Sequence, residues 1–276
     1  MNGRKWRSSG IAGALLLLAQ HAYAAPFSIN FNFTGLTPTE QATFASAAST
    51  WTSYLTGYQP GISIPSLTID ASAVSLDGAG NTISVGGPTS YTAQGGFLLP
   101  LTGQIQLDTA DLAAMTSGGY LLPIIQHEMA HAMGFGTLWT ANSVYVNGSG
   151  QYTGANALAA YQTEFSQPGA TFVPVQLGAG AGIDNSHWAE NPSGVCCTGI
   201  LSPQGDKTYE VMTGWLNIPP SPNFISLTTV KSFQDIGYLT VAAVPEPETY
   251  AMMLAGLGLM GFVARRRRRE TANFSV

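Results

Sequence analysis

The chain has 276 residues, enough for one large domain or two small ones around a buried core. Only 9% of residues are charged, against a usual share of about 25%, and uncharged Gly, Ser, Thr, Asn and Gln fill the difference. Residues 25–244 hold twelve acids, two lysines (Lys207 and Lys231) and no arginine, a charge of −10. Nucleic-acid binding is thereby excluded, because phosphate neutralisation needs several cations on one face.

The other eight basic residues sit at the two ends. Arg4, Lys5 and Arg7 precede an apolar run from Ile11 to Ala19, and Ala22-Tyr23-Ala24 fits a small-x-small cleavage site. This is the pattern of a secretory signal peptide, residues 1–24, cut after Ala24.

Beyond it, Phe27, Ile29, Phe31 and Phe33 alternate with polar residues, as in a half-buried strand. Thr37-Pro38-Thr39-Glu40 reads as a capping box, and Phe44, Ala47, Ala48, Trp51 and Leu55 recur at helical spacing, predicting a helix from Pro38 to about Leu55. Leu67 to Ala73 alternates again, as do Ile105 and Leu107, while glycine-rich Gly78 to Gly87 reads as turn. A helix is expected from about Leu121 to Met133, with Pro123 in its first turn and Gly134 as its stop. The chain is then loop-rich to about Asp206, apart from a helical candidate at Ala155 to Phe165. A last helix is expected from Leu227 to Ile236, ended by Gly237. The fold class is α+β: mixed strands and helices first, then irregular structure closed by a helix.

His127-Glu128-Met129-Ala130-His131 is an H-E-x-x-H motif, which chance would place in about one chain in 600 of this composition. On a helix, residues four apart share a face, so both imidazoles can reach one metal ion, with the Glu128 carboxylate beside the open position as general base. A catalytic zinc takes three protein ligands and a water. The remaining histidine of residues 25–244 is His187, the third-ligand candidate, with Asp184 and Glu190 as carboxylate alternatives. Cys196 and Cys197 are adjacent, compatible with a loop clip, an intermolecular link or a thiolate that silences the metal.

His127 to Gly134 resembles the H-E-x-x-H-x-x-G of the metzincin metalloproteases. Thr137 stands where most of that family place a third histidine. Leishmanolysin-like members instead carry an insertion before a His-Trp pair, to which His187-Trp188 is similar. Glu210-Val211-Met212-Thr213-Gly214 resembles the family's Met-turn, with Met212 beneath the metal. The resemblance covers about Phe27 to Leu239 and implies a mixed twisted sheet with two helices, one bearing the metal ligands. It divides the body into an N-terminal subdomain, residues 25–134, and a C-terminal one, residues 135–240, holding the third ligand and the Met-turn. With a first strand beginning almost at Ala25, no inhibitory propeptide of the leishmanolysin kind is expected.

The tail, residues 241–276, places Val244-Pro245-Glu246-Pro247 before an apolar stretch, Tyr250 to Ala264, closed by Arg265 to Arg269. It resembles a bacterial PEP-CTERM sorting signal, which implies recognition by an exosortase, a transient transmembrane anchor in the inner membrane, and delivery to the surface or matrix of a Gram-negative bacterium.

Together these features predict an exported Zn²⁺ endopeptidase acting on protein or peptide substrates. His127, His131 and His187 hold the metal, Glu128 is the base, and Gly134 and Met212 support them. Without arginine the cleft has no bidentate clamp for a terminal carboxylate, which favours cleavage within chains. The competing expectation is a non-catalytic matrix or surface protein with a structural zinc.

Overall fold

Alternation in the first strand and helical spacing after it bring three aromatic side chains together. The computed structural model describes residues 26–190, 196–215, 217 and 223–241. The expected signal peptide and sorting tail, with its transmembrane anchor, lie outside them. In β1 (Ile29–Thr34), Ile29, Phe31 and Phe33 turn inward while Asn30, Asn32 and Thr34 stay exposed. Phe31 and Phe33 each meet Phe44 of α1 (Pro38–Tyr54) edge-on at 5.6 Å. The capping box forms: Thr37 N–H donates to Glu40 Oε2 (2.6 Å) and Glu40 N–H to Thr37 Oγ1 (3.4 Å).

α1 passes into β2 (Leu55–Tyr58), and three longer strands follow: β3 (Leu67–Val74), β4 (Ser84–Gln94) and β5 (Phe97–Asp108). The sheet order is β1-β3-β5-β4, with β1, β3 and β5 parallel and β4 antiparallel to β5 at one edge. The expected α+β class with a mixed sheet is what the chain forms. A short helix, α2 (Leu112–Ser117), has no clear sequence signal and leads to α3 (Leu121–Ala132).

α3 lies against both α1 and the sheet. Buried Trp51 donates its indole N–H to Gln126 O at 3.0 Å, and a Cβ at Gly103 of β5 would sit 3.0 Å from that of Ala132. Gly134 follows with φ +108°, ending the helix as its sequence predicts.

The Gly78 to Gly87 reading needs correction. Gly78 (φ +93°) and Gly80 (φ +79°) do turn the chain, but Ser84 to Gly87 belong to β4. A Cβ at Gly86 would lie 2.5–2.8 Å from atoms of Glu128, so this glycine marks a close approach of helix to strand.

After Gly134 the regular elements are short: β6 (Gln151–Tyr152), α4 (Ala155–Glu164), β7 (Val173–Pro174), β8 (Leu201–Ser202), β9 (Gly205–Asp206), α5 (Leu227–Asp235) and β10 (Tyr238–Thr240). Helices α4 and α5 cap one another. Glu164, the last residue of α4, accepts from Leu227 N–H (2.8 Å) and Thr228 N–H (2.9 Å). Asp235, the last residue of α5, accepts from Asn156 N–H (2.9 Å) and Ala157 N–H (3.0 Å). Each carboxylate thus meets the positive end of the other helix. Phe233 meets Trp51 at 5.3 Å and β10 pairs antiparallel with β2, closing the second half onto the first. No helix among the described residues is long and apolar enough to cross a membrane.

Candidate metal centre

The helical register of α3 sends His127 and His131 to one side, as spacing of four requires. The third imidazole arrives from the loop after β7, anchored by its neighbour Trp188. That indole is 1% exposed, stacks on Trp139 at 4.9 Å, meets Phe135 edge-on at 5.1 Å, and donates Nε1–H to Thr229 Oγ1 at 2.8 Å. Trp188 is therefore a core residue, and the loop beside it is held in place by packing.

His127, His131 and His187 converge. Their three Nε2 atoms lie 3.0 Å from one another. Every Nδ1 faces a backbone carbonyl: that of Val211 for His127 (2.6 Å), of Phe135 for His131 (3.0 Å) and of Ile183 for His187 (2.8 Å). A carbonyl only accepts, so each Nδ1 carries the proton and three Nε2 lone pairs point into one small space. Such an arrangement is repulsive without a cation and well suited to one. The centre of a 3.0 Å triangle lies about 1.7 Å from each corner, inside a zinc–nitrogen bond of about 2.0–2.1 Å, so one ion fits above its face. Burial first, then the neighbouring imidazoles, pushes His131 well below the ordinary imidazole range, and burial chiefly pushes His187 down to about 3. Both rings stay neutral, as ligands must.

The cluster could hold a metal ion, and among the described residues these three histidines are the single group that could. Neither alternative carboxylate joins it. Asp184 accepts from Ala179 N–H (2.8 Å) and Glu190 from Trp215 N–H (3.0 Å). Cys196 and Cys197 are bonded to each other in an exposed loop, which leaves no free thiolate to silence the site. Thr137 donates to His131 O (3.0 Å), helping to hold the turn after α3.

Glu128 stands beside the triad at the floor of a cleft of about 700 Å³. One wall is β4 with the turn before it, Asn81 to Gly86, and the other includes Ile183, Ser186, Gly214 and Trp215. Glu128 is 6% exposed, and Ser84 Oγ–H donates to its Oε1 at 2.6 Å. Ser84 and Gly86 therefore seat the carboxylate, a role hidden from the sequence because neither residue carries a motif.

The segment around Met212 supports the triad from behind. Met212 is fully buried, its carbonyl accepts from Trp188 N–H (3.0 Å), and the carbonyl of adjacent Val211 holds His127. Glu210 organises this turn. Its buried carboxylate accepts from Met212 N–H (2.6 Å), Ser226 N–H (3.1 Å), Ser226 Oγ–H (3.0 Å) and Thr229 Oγ1–H (2.5 Å). Burial pushes its carboxyl above the usual range despite those donors. In the sequence Glu210 stands out only as the first residue of the Glu210–Gly214 motif. Its one advance signal is an acid inside an otherwise apolar and hydroxyl-bearing stretch.

Residues 243–269 match the PEP-CTERM protein-sorting motif. Such motifs are recognised by exosortase-type processing enzymes and mark proteins for export and cell-surface sorting in Gram-negative bacteria. No curated protein matches the chain.

Proposed function

We propose that this exported protein is a zinc endopeptidase of metzincin-like architecture, tethered through its C-terminal segment until sorting is complete. The observation that carries the reading is the convergence of three proton-free Nε2 atoms beside a seated carboxylate in an open cleft. His127, His131 and His187 would hold the ion. Zinc bound there would supply Lewis acidity that activates water near neutral pH.

The protein's own groups do the rest. Ser84 holds the Glu128 carboxylate through Oε1, and that carboxylate is the group placed to take the proton of the attacking water and return it to the departing amine. β4 is an edge strand along the cleft, so its free side offers main-chain groups to an extended peptide. No cationic side chain lines the described cleft, which suits cleavage within a chain better than capture of a terminal carboxylate. A purely structural zinc site favours four protein ligands and a closed shell, unlike this triad open to a cleft.

Casein digestion by the secreted protein, with and without a chelator, tests the reading. Glu128→Ala is expected to keep its metal and to lose about 10²–10⁴-fold in cleavage rate. Full activity in that variant would contradict the mechanism.

A further inference from the structure

The sorting motif starts almost where the fold stops. Val241 is fixed to the body: its N–H donates to Tyr54 O (2.9 Å) and its carbonyl accepts from Lys231 Nζ (3.1 Å). The matched motif begins two positions later, at residue 243. An extended chain gains at most about 3.6 Å per residue, so Ala243 lies within about 7 Å of Val241 and Pro247 within about 22 Å. A small domain is about 30 Å across. Whatever grips Pro245-Glu246-Pro247 must therefore meet the face of the body from which the chain leaves.

That face is assembled from distant pieces of sequence. β2 lies between Phe27 and β10: Thr56 O accepts from Phe27 N–H (3.4 Å) on one side, and Gly57 and Tyr58 pair with Leu239 and Tyr238 on the other. The rings of Phe27, Tyr58 and Tyr238 meet at 5.0–5.6 Å. Ser63 N–H donates to Gln94 Oε1 (2.7 Å), and a Cβ at Gly237 would lie 2.9 Å from Phe97. The face thus comprises residues 26–28, 54–66, 93–97 and 237–241. None of them is Asp, Glu, Lys or Arg, in a body that carries −10. Thr56, Pro60, Ser63 and Pro65 are exposed on it. Depletion of charge marks the centre of protein–protein interfaces, where an ion would have to be stripped of water.

The cleft opens toward the other end of the sheet. Phe97, at the start of β5, belongs to the exit face, whereas Gly86 of the cleft wall pairs with Ile105. Eight residues of strand separate those two levels, about 26 Å at 3.3 Å per residue.

We propose that this uncharged face is a second contact surface for the exosortase-type enzyme that recognises the tail, so that processing reads the folded body together with the motif. β10 reaches its place only when the two ends of the body have met at β2, so folded chains alone present the motif beside this face. The cleft stays open while the partner is bound. The inference is independent of the proteolytic reading.

The test uses the full chain carrying Glu128→Ala, which keeps any cleavage by the protein itself out of the assay, in a host that supplies the processing enzyme. Pulse–chase labelling with mass analysis follows the loss of Arg265 to Arg269. An insertion of about twelve Gly and Ser residues after Val241 is expected to slow processing at least about fivefold, because the gain from linking two contacts falls as the linker lengthens. Thr56→Glu places an unpaired charge on the face and is expected to slow it at least about threefold. Val146→Glu, at a position 73% exposed and outside the face, is expected to leave the rate unchanged. Pro60→Glu repeats the test at a second exposed position should Thr56→Glu fail to fold. Processing of the insertion variant at the wild-type rate or faster, or equal rates for the face variants and Val146→Glu, overturns the inference. Co-sedimentation of the processed body with phosphatidylglycerol vesicles, lost in Thr56→Glu, would assign the face to lipid and overturn it as well.

Discussion

The two halves of the body achieve order by different means. Up to Gly134 the chain relies on period: alternating strands in a four-stranded sheet, and two helices with apolar faces packed on it and on each other. After Gly134 the strands shrink to two or three residues, and buried or half-buried carboxylates do much of the positioning. Glu164, Asp206, Glu210 and Asp235 each accept two or more backbone N–H groups, at least one of them from a neighbouring segment. The histidine triad joins the halves, with two imidazoles on a regular helix and one on a loop. A loop can serve a site as rigidly as a helix when its backbone donors and its aromatic anchor are satisfied inside the core.

That contrast can be broken at its joint. His187→Ala removes the loop's ligand and is expected to abolish cleavage and to weaken metal binding at least about a hundredfold, measured by competition with a chelator. Retained stoichiometric metal at wild-type affinity would mean that α3 alone makes the site.

Acid should act next most strongly, on the metal-free protein. Burial depresses His131 and His187 in the folded state relative to about 6.5 in the unfolded chain. The unfolded chain then binds more protons below that value. Stability from these groups is therefore present above pH about 6.5 and declines as pH falls toward about 3, by a few kcal/mol in all. Denaturant midpoints across this range check it, and saturating metal should delay the loss.

Glu210→Ala sharpens the comparison within the second half. Four donors lose their acceptor, at a cost of roughly 2–3 kcal/mol in unfolding free energy, and metal affinity should fall because the Val211 carbonyl shifts. Thr37→Ala is the control in the first half. It removes one cap of α1, costing about 1 kcal/mol, and should leave metal affinity unchanged.

What the sequence revealed follows the same division. The capping box at Thr37, the α3 boundaries and the stop at Gly134 were legible because propensity, periodicity and packing agree there. β4 was obscured because Gly86 reads locally as a turn, whereas the glycine exists to let α3 approach. β2 and β10 were missed because three or four residues carry too little alternation to register, and their pairing spans most of the chain. In the site, His127, Glu128 and His131 stood out by motif, and His187 by the scarcity of histidine. Ser84 and Gly86 did not, nor did the carbonyls of Val211, Phe135 and Ile183. A serine, a glycine and three backbone oxygens acquire their roles only from tertiary contact.

X-ray absorption at the metal edge of the secreted protein tests the central claim most directly. The account predicts one zinc per chain, coordinated by three imidazole nitrogens at about 2.0–2.1 Å with a non-protein oxygen completing the shell. A sulfur neighbour at about 2.3 Å, a fourth protein ligand, or fewer than three imidazoles would contradict it.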